Sequence, residues 1–415
     1  MSSKYVNFYY VNFGCDPEFF FAKNNEICGS EKILPKGGLD NGGYGKVIID
    51  GVQAELNPSP NICRESLASN IKNCFYSVNK ELDLTKTKIV FDEVVVISKK
   101  EMDSLSKESK TFGCAPSLNL YDGEESKIKV NPEIYKYRSA GGHIHLGFYP
   151  EVRYGSGRFS AYCFAKSFNI NGKKIKGLSI HDLNDFDKIK DDLDKLYYEM
   201  YKQNPISESK LVINNDVKVF QEYEKLIYLL DIIVGNTSVL LDRNPLSAER
   251  RKVYGRAGEF RLTNYGVEYR VLSNFWLKSY TIFSLMFALA RFAVCLLIQD
   301  KVNKNDDFYN SIIKVVNPNL IEKAINENDF DLAMKNYLTI EPILCKMVDM
   351  DGYLFPINSK YSSCFLKLVE KGISHYFKKD ILTHWLYLNN NEENRRMGWE
   401  SFCEKINFRT SRVRY

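Results

Sequence analysis

The sequence predicts an α+β fold: an antiparallel sheet flanked by helices, with a helical C-terminal extension. Three observations lead there. Strand-like runs, helical stripes and hairpins are interleaved without the regular strand–helix–strand alternation of a doubly wound sheet. The run "GEFRLTNYGVEYRVLSNFW" reads as two alternating strands joined through Asn264 to Gly266, a hairpin. The run "YTIFSLMFALARFAVCLLI", Tyr280 to Ile298, is about as long and apolar as a membrane span. Arg291 stands in its second half, where a charge is expensive in lipid, and its flanks lack aromatic–basic anchors, so a buried core helix is expected.

The elements follow in order. From Tyr5 to Ala22 the chain is rich in aromatic and β-branched residues and is broken by Gly14 and Pro17, which predicts one strand or two short ones. "GGLDNGGYGKV", Gly37 to Val47, is a glycine-rich loop without the Lys-Ser or Lys-Thr ending of a phosphate-binding P-loop. "VIIDGVQAELNP" gives two strand pieces around a turn at Asp50-Gly51, and a helix is expected from about Ile62, capped by Asn61. "KTKIVFDEVVVIS" reads as a strand or hairpin. "KYRSAGGHIHLGFY" reads as another strand, with Ile144 and Leu146 on the face opposite His143 and His145. Residues 185–204 carry mixed charges at helical spacing, a solvated face. Phe220, Tyr223, Leu226, Ile227, Leu230, Ile233 and Val234 make one apolar helical stripe. After Asp300, "DKVNKNDDF" suggests a linker, dividing a catalytic region, 1–300, from a mostly helical region, 301–415, in which nothing looks catalytic.

Composition limits the function classes. A chain of 415 residues is long enough for a substantial core. A net charge of +5 with no long basic run is too weak to imply a nucleic-acid partner. The ten cysteines are scattered with no C-x-x-C pair, as expected of reduced thiols in a cytoplasmic protein. The N-terminal stretch lacks a basic region followed by a long apolar core, so no signal peptide is expected.

Side chains at i and i+2 of a strand share a face. That rule lines up Asp16 with Glu18, His143 with His145, and Glu268 with Arg270, while Glu55 follows the Asp50-Gly51 turn. If these strands face one interior, their charges need partners, because unpaired buried charges are costly. Carboxylates suit Mg²⁺ or Mn²⁺, and the planar fork of arginine suits phosphate oxygens. Arg250, Arg251, Arg256 and Arg261 crowd the approach to the hairpin; Arg250 and Arg256 read as surface salt-bridge partners, whereas Arg261 sits in a strand and pairs across the hairpin toward Glu268. Together these residues describe a metal–nucleotide site.

The segments "GCDPEF", "IDGVQAELNP", "GGHIHLG", "RRKVYGRAGEFR" and "YGVEYRVLSNFW", in that order over roughly residues 12–290, resemble the phage-type carboxylate–amine ligases (type 2). These are amidoligases distantly similar to glutamine synthetase and glutamate–cysteine ligase. The resemblance implies a glutamine synthetase-like antiparallel catalytic sheet that binds ATP and Mg²⁺ or Mn²⁺. It implies that a carboxylate is activated as an acyl phosphate and attacked by an amine, the two substrates being small molecules, peptides or protein side chains. On that pattern Glu18, Glu55, His143 and Glu268 are metal ligands with Asp16 supporting them. His145 lies nearer the substrate, and Arg251, Arg261 and Arg270 neutralise phosphate charge and bind the nucleotide. The attacking group on ATP is the substrate's own carboxylate, so no Ser or Cys nucleophile is expected. Asn57 departs from the arginine expected at its position. The expected location is the cytoplasm, that of the host if the source is viral, with no nucleic-acid or membrane partner.

Two other readings compete. A metal-dependent hydrolase would use His143 and His145 with Asp16 or Glu18 as a zinc site, leaving the arginines idle. A non-catalytic virion or binding protein on the same fold would have no need of the intact carboxylates.

Overall fold

A computed structural model describes residues 7–61, 63–82, 86–110, 117–123, 126, 128, 130–131, 134–153, 160–161, 167–170, 173–176, 223–263, 266–302, 308–347, 356–378, 380–388 and 398–411. It is a mixed α+β protein with antiparallel sheets. The charged segment 185–204, Phe220 and most of the expected linker lie outside the described residues.

The strands, in chain order, are β1 (Asn7–Cys15), β2 (Glu18–Lys23), β3 (Glu26–Cys28), β4 (Leu39–Asp40), β5 (Gly45–Asp50), β6 (Gln53–Pro58), β7 (Thr87–Val90), β8 (Val94–Val96), β9 (Leu118–Asn119), β10 (Tyr137–Ser139), β11 (Ile144–Arg153), β12 (Ser160–Ala161), β13 (Ser167–Ile170), β14 (Lys173–Lys176), β15 (Glu259–Leu262) and β16 (Gly266–Tyr269). One sheet runs β1-β11-β16-β15-β9 and a second runs β3-β2-β6-β5-β4, with β7 also paired to β2. The chain divides into two compact units. The smaller comprises Met1–Asn12, Leu146–Tyr223 and Leu262–Val267, and in it β13 pairs antiparallel with β14 from Ser167↔Lys176 to Ile170↔Lys173. The larger comprises Phe13–His145, Glu224–Arg261 and Glu268–Tyr415, and it holds every residue singled out above for the site.

Local sequence explains much of the larger unit. Asp16 and Pro17 interrupt the aromatic run between β1 and β2, because proline has no N–H for a ladder. The β5–β6 hairpin closes on Asp50↔Gln53 around Gly51, whose φ of 63° is cheap only without a Cβ. Four expectations shift. The first helix starts at Arg64 with Cys63 as its cap residue, and Asn61 Oδ1 accepts from Cys63 N at 3.0 Å, ahead of the helix rather than capping it. The run 87–97 is not one hairpin: β7 pairs with β2, while β8 pairs with β10, so its two halves belong to different sheets. The helix beginning at Tyr223 is interrupted by a π-helical turn, Asp231–Gly235, before it resumes over Asn236–Leu241. The helix Tyr280–Val302 runs through the expected boundary near 300, and the helices after it share the larger unit with the β3-β2-β6-β5-β4 sheet.

That last helix is, among the described residues, the one long and apolar enough to cross a membrane, and most of it is buried within the protein. A helix apolar all round needs neighbours all round. Phe283 and Phe287 meet Trp276, Phe13 and Trp385, with ring centroids 5.5–5.8 Å apart. Arg291 lays its guanidinium 4.8 Å from the Phe13 ring. From the C-terminal region, Trp385 donates its indole N–H to Leu277 O at 2.7 Å and packs against Phe75 of the first helix.

Candidate active site

Strands β2, β5 and β6 assemble a first group of carboxylates. Glu18 opens β2 directly across from Glu55 of β6, and Glu55 faces Ile48 of β5. Asp50, two residues beyond Ile48, shares that face. Ligand oxygens of Glu18, Asp50 and Glu55 all lie within 4.8 Å of one another. Three buried carboxylates at such range resist ionising together. Burial, then the charges of Asp50 and Asp16, pushes Glu18 up to about 8. Asp50 is raised by burial and by Asp16, and Glu55 by burial and by Asp16, Asp50 and Glu18.

Glu18 is held from several directions. Its Oε2 accepts from the Gly141 N–H at 2.6 Å, from the Tyr254 hydroxyl at 3.0 Å and, more weakly, from Gln53 Nε2 at 3.5 Å. Its backbone N–H donates to Gly141 O, and its carbonyl accepts from Asn274 Nδ2, both at 2.9 Å. The paired glycines are needed for this close approach. A Cβ on Gly141 would stand 2.7 Å from His143 Nε2, and one on Gly142 would stand 2.4 Å from Ser273 O.

The second group centres on Asp16, in the break between β1 and β2. His143 Nδ1 lies 3.1 Å from its Oδ1, and His145 Nε2 lies 3.2 Å from its Oδ2. Glu268 of β16 is 3.5 Å from His143 Nδ1 and pairs with Arg261 Nη1 at 3.1 Å and Arg270 Nε at 3.4 Å. Asp16, His145 and Glu268 present ligand atoms within 4.8 Å of one another. Burial would raise Asp16, but the two imidazoles overcome it and hold the carboxyl far below its usual range. Burial likewise opposes charge on both histidines. It prevails at His143, which is lowered, whereas Asp16 reverses it at His145, which is raised. A neutral His143 that donates Nδ1–H to Asp16 carries its lone pair on Nε2, a buried atom with no hydrogen-bond partner among the described residues.

The structure therefore gathers Asp16, Glu18, Glu55, His143, His145, Arg261, Glu268 and Arg270. It groups His145, rather than His143, with the carboxylates that offer ligand atoms, and sets His143 between Asp16 and Glu268. Arg251 lies elsewhere. Its Nη1 donates to Val271 O at 2.5 Å, its charged neighbours are Arg250, Asp242 and Glu259, and burial lowers it to about 9. Arg250 is not a surface partner: it is 2% exposed and donates to the carbonyls of Arg270, Val271 and Leu272 at 2.7–3.0 Å. Arg256 does make ion pairs, with Asp122 and Glu259. Two site residues escaped sequence reading. Asp50 had a signal, since strand alternation across a two-residue turn puts it on the face of Glu55. Tyr254 had none beyond its place in "RRKVYGRAGEFR".

Residues 218–314 match the family model described as Phage phiEco32-like COOH.NH2 ligase-type 2. The matched segment includes Arg251, Tyr254, Arg261, Glu268 and Arg270. This supports the amidoligase family that the ordered motifs resemble, whose description is that of a carboxylate–amine ligase. No curated protein and no solved structure matches the chain.

Proposed function

We propose that the protein is an ATP-dependent carboxylate–amine ligase on a glutamine synthetase-like sheet. In this reading it forms an amide through an acyl phosphate and releases ADP and phosphate. The observation that carries the reading is the pairing of two oxygen-rich groups with two arginines: Glu18, Asp50 and Glu55 in one, Asp16, His145 and Glu268 in the other, and Arg261 and Arg270 on Glu268.

The donor set fits hard divalent cations. Five of the six convergent ligands are carboxylates, which suit Mg²⁺ or Mn²⁺, and the mutual repulsion of Glu18, Asp50 and Glu55 calls for a cation among those three. The first group would hold one ion and the second group another. Bound ions supply charge neutralisation for the outer phosphates of a nucleotide. The chain's own residues do the rest. Asp16 fixes both imidazoles, and Glu268 holds the guanidinium groups of Arg261 and Arg270 where a planar fork can take phosphate oxygens once a nucleotide competes for them. Arg251, donating to a backbone carbonyl, is left out of that role. A zinc hydrolase would leave the two arginines unused.

The test supplies Mg²⁺ or Mn²⁺, ATP and candidate acids, with hydroxylamine standing in for the amine. ADP, phosphate and a hydroxamate that disappear in Glu18→Gln support the reading. AMP with pyrophosphate overturns the acyl-phosphate route.

A further inference from the structure

We propose that Tyr254 is a positioning residue that makes Glu18 a one-oxygen ligand, offering Oε1 alone to a divalent cation. The proposal rests on the metal-centre reading above and adds to it which oxygen binds and what holds it.

The three donors that reach the Glu18 carboxylate all reach the same oxygen. Gly141 N–H at 2.6 Å and Tyr254 Oη at 3.0 Å make full hydrogen bonds to Oε2, and Gln53 Nε2 stands at 3.5 Å. Gln53 is anchored elsewhere, donating to Ser139 O at 2.7 Å, so its contact with Glu18 is secondary. A carboxylate oxygen has about two lone-pair directions. Two short donors fill them, and Oε2 has no direction left for a cation. Oε1 is the oxygen left for a cation shared with Asp50 and Glu55.

The hydroxyl is not free to wander. Tyr254 is 4% exposed, with the Arg250 guanidinium 4.6 Å from its ring centroid, the Arg270 guanidinium 5.9 Å away and the His143 ring edge-on at 5.8 Å. Arg250 is itself pinned on three backbone carbonyls. The ring thus ties the first carboxylate group to Arg270, which pairs with Glu268 of the second. Outer hydrogen bonds that orient a ligand typically contribute about 10- to 100-fold in metal affinity.

Tyr254→Phe removes the hydroxyl and keeps the ring among its cations. Mn²⁺ binding to the nucleotide-free protein, followed by the electron paramagnetic resonance of free Mn²⁺, should weaken about tenfold. The thermal midpoint in chelator should barely move, and activity should recover at higher Mn²⁺. A double-mutant cycle isolates the route: in a Glu18→Gln background, Tyr254→Phe should cause no further loss, because the group it positions is already gone. Wild-type Mn²⁺ affinity in Tyr254→Phe overturns the positioning role alone. An equal further loss in the Glu18→Gln background also overturns it, by showing that Tyr254 acts elsewhere. Absence of Mn²⁺ binding by the wild-type protein overturns the metal-centre reading, and the positioning role with it.

Discussion

In the metal-free protein, stability should fall as pH rises from 5 to 8, and added Mn²⁺ should reverse the fall. Glu18 is raised from an ordinary 4.5 to about 8, chiefly by burial. A raised carboxyl pKa means that the native state keeps a proton the unfolded chain has already released. Its contribution is complete below 4.5 and is lost as pH climbs through the native value. The span from 4.5 to about 8, at about 1.4 kcal/mol per pH unit, is roughly 5 kcal/mol. With an unfolding entropy of about 2.1 cal/mol/K per residue over 415 residues, that corresponds to roughly 6 °C in Tm.

Other groups share the window. Asp50 and Glu55, raised by burial and by their acidic neighbours, and Asp231 and Asp242, raised by burial to about 7 and about 6, add to the same slope, and raised His145 adds where lowered His143 subtracts. Asp16, held low, titrates below the window and leaves it unaffected. The informative quantity is therefore the difference between the wild-type protein and Glu18→Gln, whose amide does not titrate. Calorimetry in EDTA from pH 5 to 8.5 should show a shallower decline in the variant. A cation replaces protons in the first carboxylate group, so its stabilisation should grow with pH. A wild-type Tm that is flat or rising with pH in EDTA would refute this reasoning. So would Mn²⁺ stabilisation that is equal at pH 5.5 and 8.

What could be read in the sequence was what repeats locally. The β5–β6 hairpin announced itself through Asp50-Gly51 between alternating strands, and the β15–β16 hairpin through its two amphipathic runs. Alternation also put Ile144 and Leu146, both fully buried, opposite the histidines. What was missed depends on partners far away in sequence. Nothing near Arg250 says that its charge is absorbed by carbonyls twenty residues on, and a surface ion pair is the usual fate of such a residue. The runs 87–90 and 94–96 look like one hairpin until β2 and β10 claim them separately. The division of labour between His143 and His145 turns on which nitrogen meets Asp16, a fact that two-residue periodicity cannot carry. The C-terminal helices were set apart at a polar stretch, yet Trp385 closes on Leu277 and Phe75, contacts that no local pattern encodes.

Arg261→Lys should lower kcat at least tenfold while Tm stays within a degree or two, because this partly exposed side chain loses its bidentate fork but keeps its charge; unchanged turnover would make it structural. Gly142→Ala should destabilise the fold by about 2 kcal/mol or more in urea titration, since the new Cβ meets Ser273 O at 2.4 Å and Trp276 Nε1 at 2.5 Å. Arg250→Met should also destabilise the fold. The side chain donates to three successive carbonyls, those of Arg270, Val271 and Leu272, at 3.0, 2.7 and 2.7 Å. Val271 O keeps Arg251 Nη1 and Leu272 O keeps the Gly142 N–H, so Arg270 O is the acceptor that loses its donor, and a buried acceptor left unpaired costs about 1–3 kcal/mol, a sizeable share of a typical domain's total. Arg250→Lys should recover little, because one ammonium cannot span three carbonyls as a planar fork does. The segment these bonds hold carries Arg270, and its release should also raise the KM for ATP in whatever protein remains folded. Urea midpoints for Arg250→Met within about 1 kcal/mol of wild type would show that water can replace the guanidinium, and that the 270–272 backbone is fixed by its other contacts.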